Sequence, residues 1–302
     1  MKAKKLKNNS FALSNNLRQS HVFSTPELDS KSSAAVDGNA AVMIEMTTKD
    51  IEVVVGGFDG ENQPIKEQKD LYQVADVIPY IFSLKKQLEQ TKLLKYMQDE
   101  TISNIRKLDF APYFAYFVNS FSDLNKYILP YNDTELEKDE LGLKKKLNKH
   151  MEEDESHNIL FNDDTQLFQA KFNNFSFSDY LTFLWNDNIK NSRMVGFGIA
   201  KVTQIASDPR IRYCLIRTIE ELGNAFFSIS HKCRIDGHES KYFGSIHLGY
   251  EPGGLHLEGD NEEQFLSQNL TLEEYNLAKS ITQECYIFFF DFLEEVYDQS
   301  IK

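Results

Sequence analysis

Histidines and carboxylates at helical spacing are the first residues in this chain whose types could carry chemistry. His150, Glu153, Asp154 and His157 stand at positions i, i+3, i+4 and i+7, a spacing that places them on one face of a helix over two turns. Imidazoles and carboxylates on one helix face are typical of a non-heme iron or dimetal site in a bundle. The alternative is a solvated face, because residues 152–155 form a continuous acidic run.

A second group follows about ninety residues later in the chain. His247 and Glu251 are four residues apart on a short predicted helix, so both side chains can reach one ion. His256 lies beyond the Pro-Gly-Gly stop at 252–254 and joins them only if its loop folds back. On its own, this group indicates either a metal site or a set of capping side chains.

Glu220 is the third candidate, because the helix predicted around it is apolar on most of its circumference. Of the adjacent pair Glu220 and Glu221, only one can easily be solvated. A carboxylate on a buried helix needs a cation, a hydrogen-bonding partner or a proton. The sequence leaves two interpretations open for Glu220: a metal ligand, or a salt bridge with Arg193, Arg212 or Arg217.

Three stretches of the chain resemble the heme-oxygenase-like iron-containing redox enzymes. Residues 117–164 resemble that superfamily's N-x-H-x-x-E-D-x-x-H-W element, and residues 193–232 resemble its helix pair with DP-x-x-R and E-x-x-G-H-x-F-F. Residues 241–251 resemble its YFG-x-x-H-x-x-x-E-x-G-H element. Order and spacing agree through most of 110–300. The resemblance implies an all-α antiparallel bundle of about seven helices and an oxygen-dependent oxidoreductase acting on a small organic substrate.

The same resemblance implies which side chains bind the metal. The ligands that it assigns are His150, Glu153 and His157 from the first motif, Glu220 from the central helix, and His247 and Glu251 from the last motif, with His256 as a further candidate. They would hold Fe(II), as two ions, with dioxygen as co-substrate. No residue is assigned a direct catalytic role.

Three departures from the family pattern keep other hypotheses open. Gly254 stands where the family has a further His, Asn158 where it has Trp, and Asn224 where it has His. Loss of one ligand is compatible with a catalytically degenerate scaffold that acts as an interaction or regulatory module, with a protein partner bound through the N-terminal region. Heme binding is a third hypothesis, but residues 71–110 contain no His that could be its axial ligand.

Helices in a domain spanning 71–302 are expected to hold these residues. Helices are predicted at 80–97, 110–129, 135–161, 177–206, 209–234, 242–251 and 272–298. Start signals support three of them, at Ser178-Asp179, Asp208-Pro209 and Thr271. Residues 1–70 are expected to be a mobile N-terminal tail with a short β-hairpin at 40–57.

Composition excludes several classes of protein. The net charge of −13 disfavours nucleic acid and anionic membranes as main partners. Three separated cysteines argue against a disulfide framework and against a thiolate zinc site. Without a long apolar run or a secretory leader, a cytoplasmic protein is expected. A homodimer remains open.

Overall fold

The chain is mostly helical wherever its structure is described. The computed structural model describes residues 71–104, 106–154, 156–172, 176–235, 237–250 and 260–301. In these ranges the sheet consists of two short antiparallel strands, β1 (Tyr72–Gln73) and β2 (Asn269–Leu270). The all-α fold class is confirmed. The tail and hairpin predicted within 1–70 lie outside the described residues, as do Glu251 and His256.

The α-helices are short apart from two long ones that form the centre of the bundle. In chain order they are α1 (Ile78–Leu88), α2 (Lys92–Gln98), α3 (Ala115–Asp123), α4 (Asp133–Leu136), α5 (Leu143–Asp154), α6 (Asn158–Phe172), α7 (Phe177–Leu184), α8 (Asn191–Ile205), α9 (Pro209–Ser230), α10 (Ser245–Tyr250), α11 (Asp260–Leu266) and α12 (Leu272–Ser300). Single 3₁₀ turns at Val74–Asp76, Ala111–Phe114 and Asp187–Ile189, and a π-helical turn at Leu124–Ile128, complete the helical structure. None of these helices is both long enough and apolar enough to span a membrane.

Helix α9 is the central element and carries Glu220. It packs against α1, α2, α5 and α12, and α12 also packs along α8. Its residues from Ile211 to Leu222 are almost all buried, as expected for a helix that is apolar on nearly every side. The predicted start is confirmed, with Asp208 as the N-cap and Pro209 as the first helical residue.

Several predicted helices are interrupted in the structure. The segment predicted at 135–161 is divided into α4, α5 and the start of α6, because Gly142 adopts a left-handed backbone conformation (φ 70°) and α5 ends at Asp154. The segment predicted at 80–97 is divided at Thr91. Ser176, rather than Ser178, caps α7, since it forms a reciprocal capping box with Asp179.

We expect Asp208→Ala to lower the free energy of unfolding by about 1 kcal/mol at pH 7, the usual cost of losing an N-cap. The carboxylate accepts hydrogen bonds from the Arg210 backbone N–H (2.8 Å) and from its guanidinium. Burial favours a higher pKa for Asp208, but the hydrogen bonds and charge of Arg210 outweigh it and hold that pKa below its usual value. The stabilisation is therefore complete above about pH 4 and is lost as the pH falls through the lowered pKa of the folded state.

Urea unfolding of both proteins between pH 7 and pH 3 measures this effect. The difference between wild type and Asp208→Ala should shrink at the acid end, because protonation removes the same interaction from the wild type. Glu100→Ala, at an exposed position, is the control and should match the wild type throughout. A difference that stays constant down to pH 3 would contradict the role of the ionised carboxylate.

Candidate metal centre

Helix α5 places two candidate ligands on its core-facing side. Its buried residues are Leu143, Leu147, His150, Met151 and Asp154, a stripe with helical period. His150 and Asp154 therefore both point into the bundle, and His150 Nε2 lies 3.7 Å from Asp154 Oδ2. The spacing predicts this common face.

Glu153, which the family resemblance assigns as a ligand, is not one of the side chains whose donor atoms are grouped here, which are His150, Asp154 and Glu220. Its side chain is 38 % exposed and lies 3.9 Å from Lys149 Nζ. Asp154, one residue later, takes the inward position because it continues the buried stripe of α5, whereas Glu153 lies to one side of it. The sequence does contain a signal that favours Asp154 over Glu153, because Asp154 continues the helical spacing of the apolar residues Leu143, Leu147 and Met151.

His157 joins the cluster even though α5 ends before it. Its backbone N–H donates to the Asp154 carbonyl (3.3 Å), and its Nε2 lies 4.0 Å from Asp154 Oδ1. The predicted position of His157 on the same helix as His150 is therefore wrong. The turn after Asp154 nevertheless keeps its imidazole on the same side.

Glu220 reaches the cluster from α9. Its Oε1 lies 3.2 Å from His150 Nε2, and its side chain is only 13 % exposed. Two elements far apart in the sequence thus bring an imidazole and a carboxylate into direct contact in the interior.

The arginines that could have neutralised Glu220 are occupied elsewhere. Arg217 contacts the carboxylates of Glu221 and Glu262. The hydrogen bonds of Arg212 and Arg193 go to backbone carbonyls. Glu220 therefore forms no salt bridge with any of these three arginines.

His247 completes the cluster from α10 and is 3 % exposed. Its Nε2 lies 3.2 Å from His157 Nδ1, and its Nδ1 donates to the Tyr242 carbonyl at 2.8 Å. The ring is also packed between Phe227 and Tyr242, with centroid distances of 4.1 and 4.8 Å. The remaining candidates, Glu251 and His256, are in the part of the chain that is not described.

The electrostatics give the two buried histidines opposite protonation states. Burial disfavours a charged His150, but the hydrogen bond and charge of Glu220, with the charge of Asp154, raise its pKa to about 9. Burial, with the charge of His157 adding to it, lowers the pKa of His247 to about 3. Burial would raise the pKa of Glu220, yet its contact with His150 lowers it. At neutral pH a metal ion must therefore displace a proton from His150, while His247 is neutral and able to coordinate.

The donor set fits first-row transition metals. Donor atoms of His150, Asp154 and Glu220 all lie within 4.8 Å of one another. Two ligands of one such ion, each about 2.1 Å from it, lie roughly 3 to 4 Å apart, and both the His150–Glu220 and the His157–His247 contacts measure 3.2 Å. Imidazole with carboxylate suits iron or its neighbours, whereas calcium and magnesium favour oxygen ligands alone.

A mostly apolar cavity adjoins this cluster. Its volume is about 70 Å³, and Asp154, His157, Glu220 and His247 form its polar end together with Tyr242. Phenylalanines dominate the rest of the lining, at Phe114, Phe117, Phe121, Phe226, Phe227, Phe289 and Phe292. Because one water molecule needs roughly 10 to 15 Å³ of such space, the cavity can take a few waters or a small organic molecule.

No protein-family profile matches the sequence, and no curated protein matches it significantly. The helical bundle and the cluster of imidazoles and carboxylates are therefore the basis for any conclusion about the class of protein.

Proposed function

We propose that the protein is an oxygen-dependent non-heme iron oxidoreductase with a heme-oxygenase-like bundle, acting on a small organic molecule. The iron, as two ions, would be held by the five clustered side chains, His150, Asp154, His157, Glu220 and His247. Ferrous iron bound there would supply the electrons that reduce dioxygen. The observation that carries the proposal is the convergence of these donors from α5, the turn after it, α9 and α10, with four of them lining an apolar cavity.

The arrangement of the five donors supports two ions rather than one. Asp154 has one oxygen 3.7 Å from His150 and the other 4.0 Å from His157, so it stands between two pairs of donors. On one side is His150 with Glu220, and on the other is His157 with His247. A carboxylate in this position would be within reach of both halves of the cluster and would help to hold the two ions.

The cavity lining supports a substrate that is largely apolar. Its aromatic walls favour burial of an apolar group. None of the described residues lining it is Lys or Arg. A polar group of the substrate is therefore best accommodated at the cluster end, beside the metal ligands.

Anaerobic loading with ferrous iron, followed by metal analysis, tests the proposal. We expect about two iron ions per wild-type chain and fewer than one in protein that carries His157→Ala together with Glu220→Ala. The loaded wild type should consume dioxygen, and apo protein should not. Failure of the wild type to bind iron, or equal binding by the double variant, would overturn the proposal and favour the interaction-module hypothesis.

A further inference from the structure

A second buried carboxylate, outside the metal cluster, holds the segment that carries His247. Asp164 lies on α6 and is 2 % exposed. Its Oδ2 accepts hydrogen bonds from Ser240 Oγ (2.6 Å) and the Tyr242 backbone N–H (2.9 Å). Its Oδ1 accepts one from the Lys241 backbone N–H (2.9 Å). One carboxylate thus binds three consecutive residues through charge-assisted hydrogen bonds.

The two residues whose backbone N–H groups donate to Asp164, Lys241 and Tyr242, also hold His247 through their carbonyls. The Lys241 carbonyl accepts from the His247 backbone N–H at 3.2 Å. The Tyr242 carbonyl accepts from His247 Nδ1 at 2.8 Å. Each of these two residues therefore donates its backbone N–H to Asp164 and accepts a hydrogen bond from His247 at its carbonyl. Because Nδ1 carries the hydrogen of this bond, Nε2 is left as the nitrogen that faces His157 and the cluster.

The turn between Asp164 and His247 has little room to adjust. A Cβ on Gly244 would lie 2.0 Å from the Ser240 carbonyl oxygen, so the backbone passes very close to itself there. The Phe243 carbonyl is also fixed, since it accepts from Ser230 Oγ of α9 at 3.0 Å. A displacement of Lys241 and Tyr242 would consequently be transmitted to the imidazole.

We infer that Asp164 is a positioning residue that sets the orientation and tautomer of His247. The expected effect on metal affinity rests on the proposed metal-binding function. A residue that orients a metal ligand typically changes metal affinity about 10- to 100-fold. Asp164 itself stays outside the cluster. It acts through the backbone of Lys241 and Tyr242.

Cobalt(II) binding by the whole chain, followed by its visible absorption, tests the consequence. We expect Asp164→Ala to weaken Co²⁺ binding about 10- to 100-fold and to shift the spectrum toward that of His247→Ala. In protein that already carries His247→Ala, adding Asp164→Ala should change affinity less than about threefold, since positioning a missing ligand has no effect. Equal losses with and without His247 would overturn the inference.

Asp163→Ala is the matched control. Asp163 is the preceding residue and contacts the same lysine, with Oδ2 2.7 Å from Lys241 Nζ, but both side chains are 48 % exposed. We expect it to bind Co²⁺ as the wild type does. If Asp164→Ala does not fold, Asp164→Asn, which keeps one accepting oxygen and loses the other, replaces it, with a smaller loss of Co²⁺ affinity in the same direction.

Nitrogen-15 NMR of the metal-free protein separates this inference from the proposed function. His247 should be in the Nδ1–H tautomer in the wild type and in Asp163→Ala, and should become a mixture of tautomers in Asp164→Ala. A wild type that binds no Co²⁺ or iron but shows this change defeats only the proposed function. An unchanged His247 tautomer in Asp164→Ala defeats the positioning role, whether or not metal binds.

Discussion

Asp154→Ala protein is expected to bind ferrous iron at least about 100-fold more weakly than the wild type. Mutation of a residue that only orients a metal ligand already lowers metal affinity by up to about 100-fold, and removal of a ligand itself should lower it at least as much. Asp154 is 5 % exposed and stands between His150 and His157. Removing it takes away the carboxylate that lies within reach of both halves of the cluster. The imidazoles that remain have less negative charge beside them to offset that of the metal.

Glu153→Ala is the matched control, because it removes a carboxylate from the neighbouring position of the same helix. Glu153 is 38 % exposed and faces Lys149, so its loss should leave iron affinity unchanged. Anaerobic titration of both apo proteins with Fe²⁺, with circular dichroism to verify folding, measures the difference. Wild-type affinity in Asp154→Ala would mean that Asp154 is not a ligand, and an equal loss in Glu153→Ala would contradict the assignment of Asp154 in place of Glu153.

Substitutions of the two neighbouring glutamates of α9 are expected to affect different properties, Glu221→Ala mainly the free energy of unfolding and Glu220→Ala mainly iron binding. Glu221→Ala should lower the free energy of unfolding by about 3 kcal/mol, the scale for breaking a buried ion pair. Its carboxylate is 9 % exposed and binds Lys85 Nζ at 2.7 Å and Arg217 Nη2 at 2.8 Å. Without it, both cations keep their burial and lose their main counter-charge.

Glu220→Ala should show the opposite behaviour. Its partner His150 still has Asp154 beside it, with Oδ2 3.7 Å from Nε2, so the imidazole keeps a counter-charge and the apo protein loses less stability than Glu221→Ala does. Iron binding, by contrast, should fall to less than half of the wild-type stoichiometry. Urea unfolding of the apo proteins and iron analysis of the folded ones measure both quantities. Equal stability losses, or iron loss in Glu221→Ala, would contradict this division of roles.

Much of the scaffold could be predicted from local signals. Asp208 followed by Pro209, and Thr271 before an acidic first turn, predicted the starts of α9 and α12 because capping depends only on nearby backbone and side chains. Breaks within helices were predicted less well. The interruption at Gly142 depends on a left-handed residue that is also tolerated inside a helix, at a cost.

The kind of site could be predicted from the sequence, but only some of the residues that form it could. His150, His157, Glu220 and His247 were all singled out from spacing, burial pattern and resemblance, and the structure brings them together. Asp154 belonged to the same group, but the choice between it and Glu153 depends on which side of α5 is buried. Asp164 carries no sequence signal of its own, since an acid in a polar stretch usually faces water.

Local sequence is sufficient to specify that this chain is helical and where several of its helices start, because those properties depend on residues within a few positions of one another. Tertiary packing alone decided that Glu220 faces His150 while Glu221 faces Lys85 and Arg217. It also decided that the segment held by Asp164 places His247 next to His157. The physical reason is that a buried charge is stable only beside a partner, and here the partners come from elements far apart in the chain.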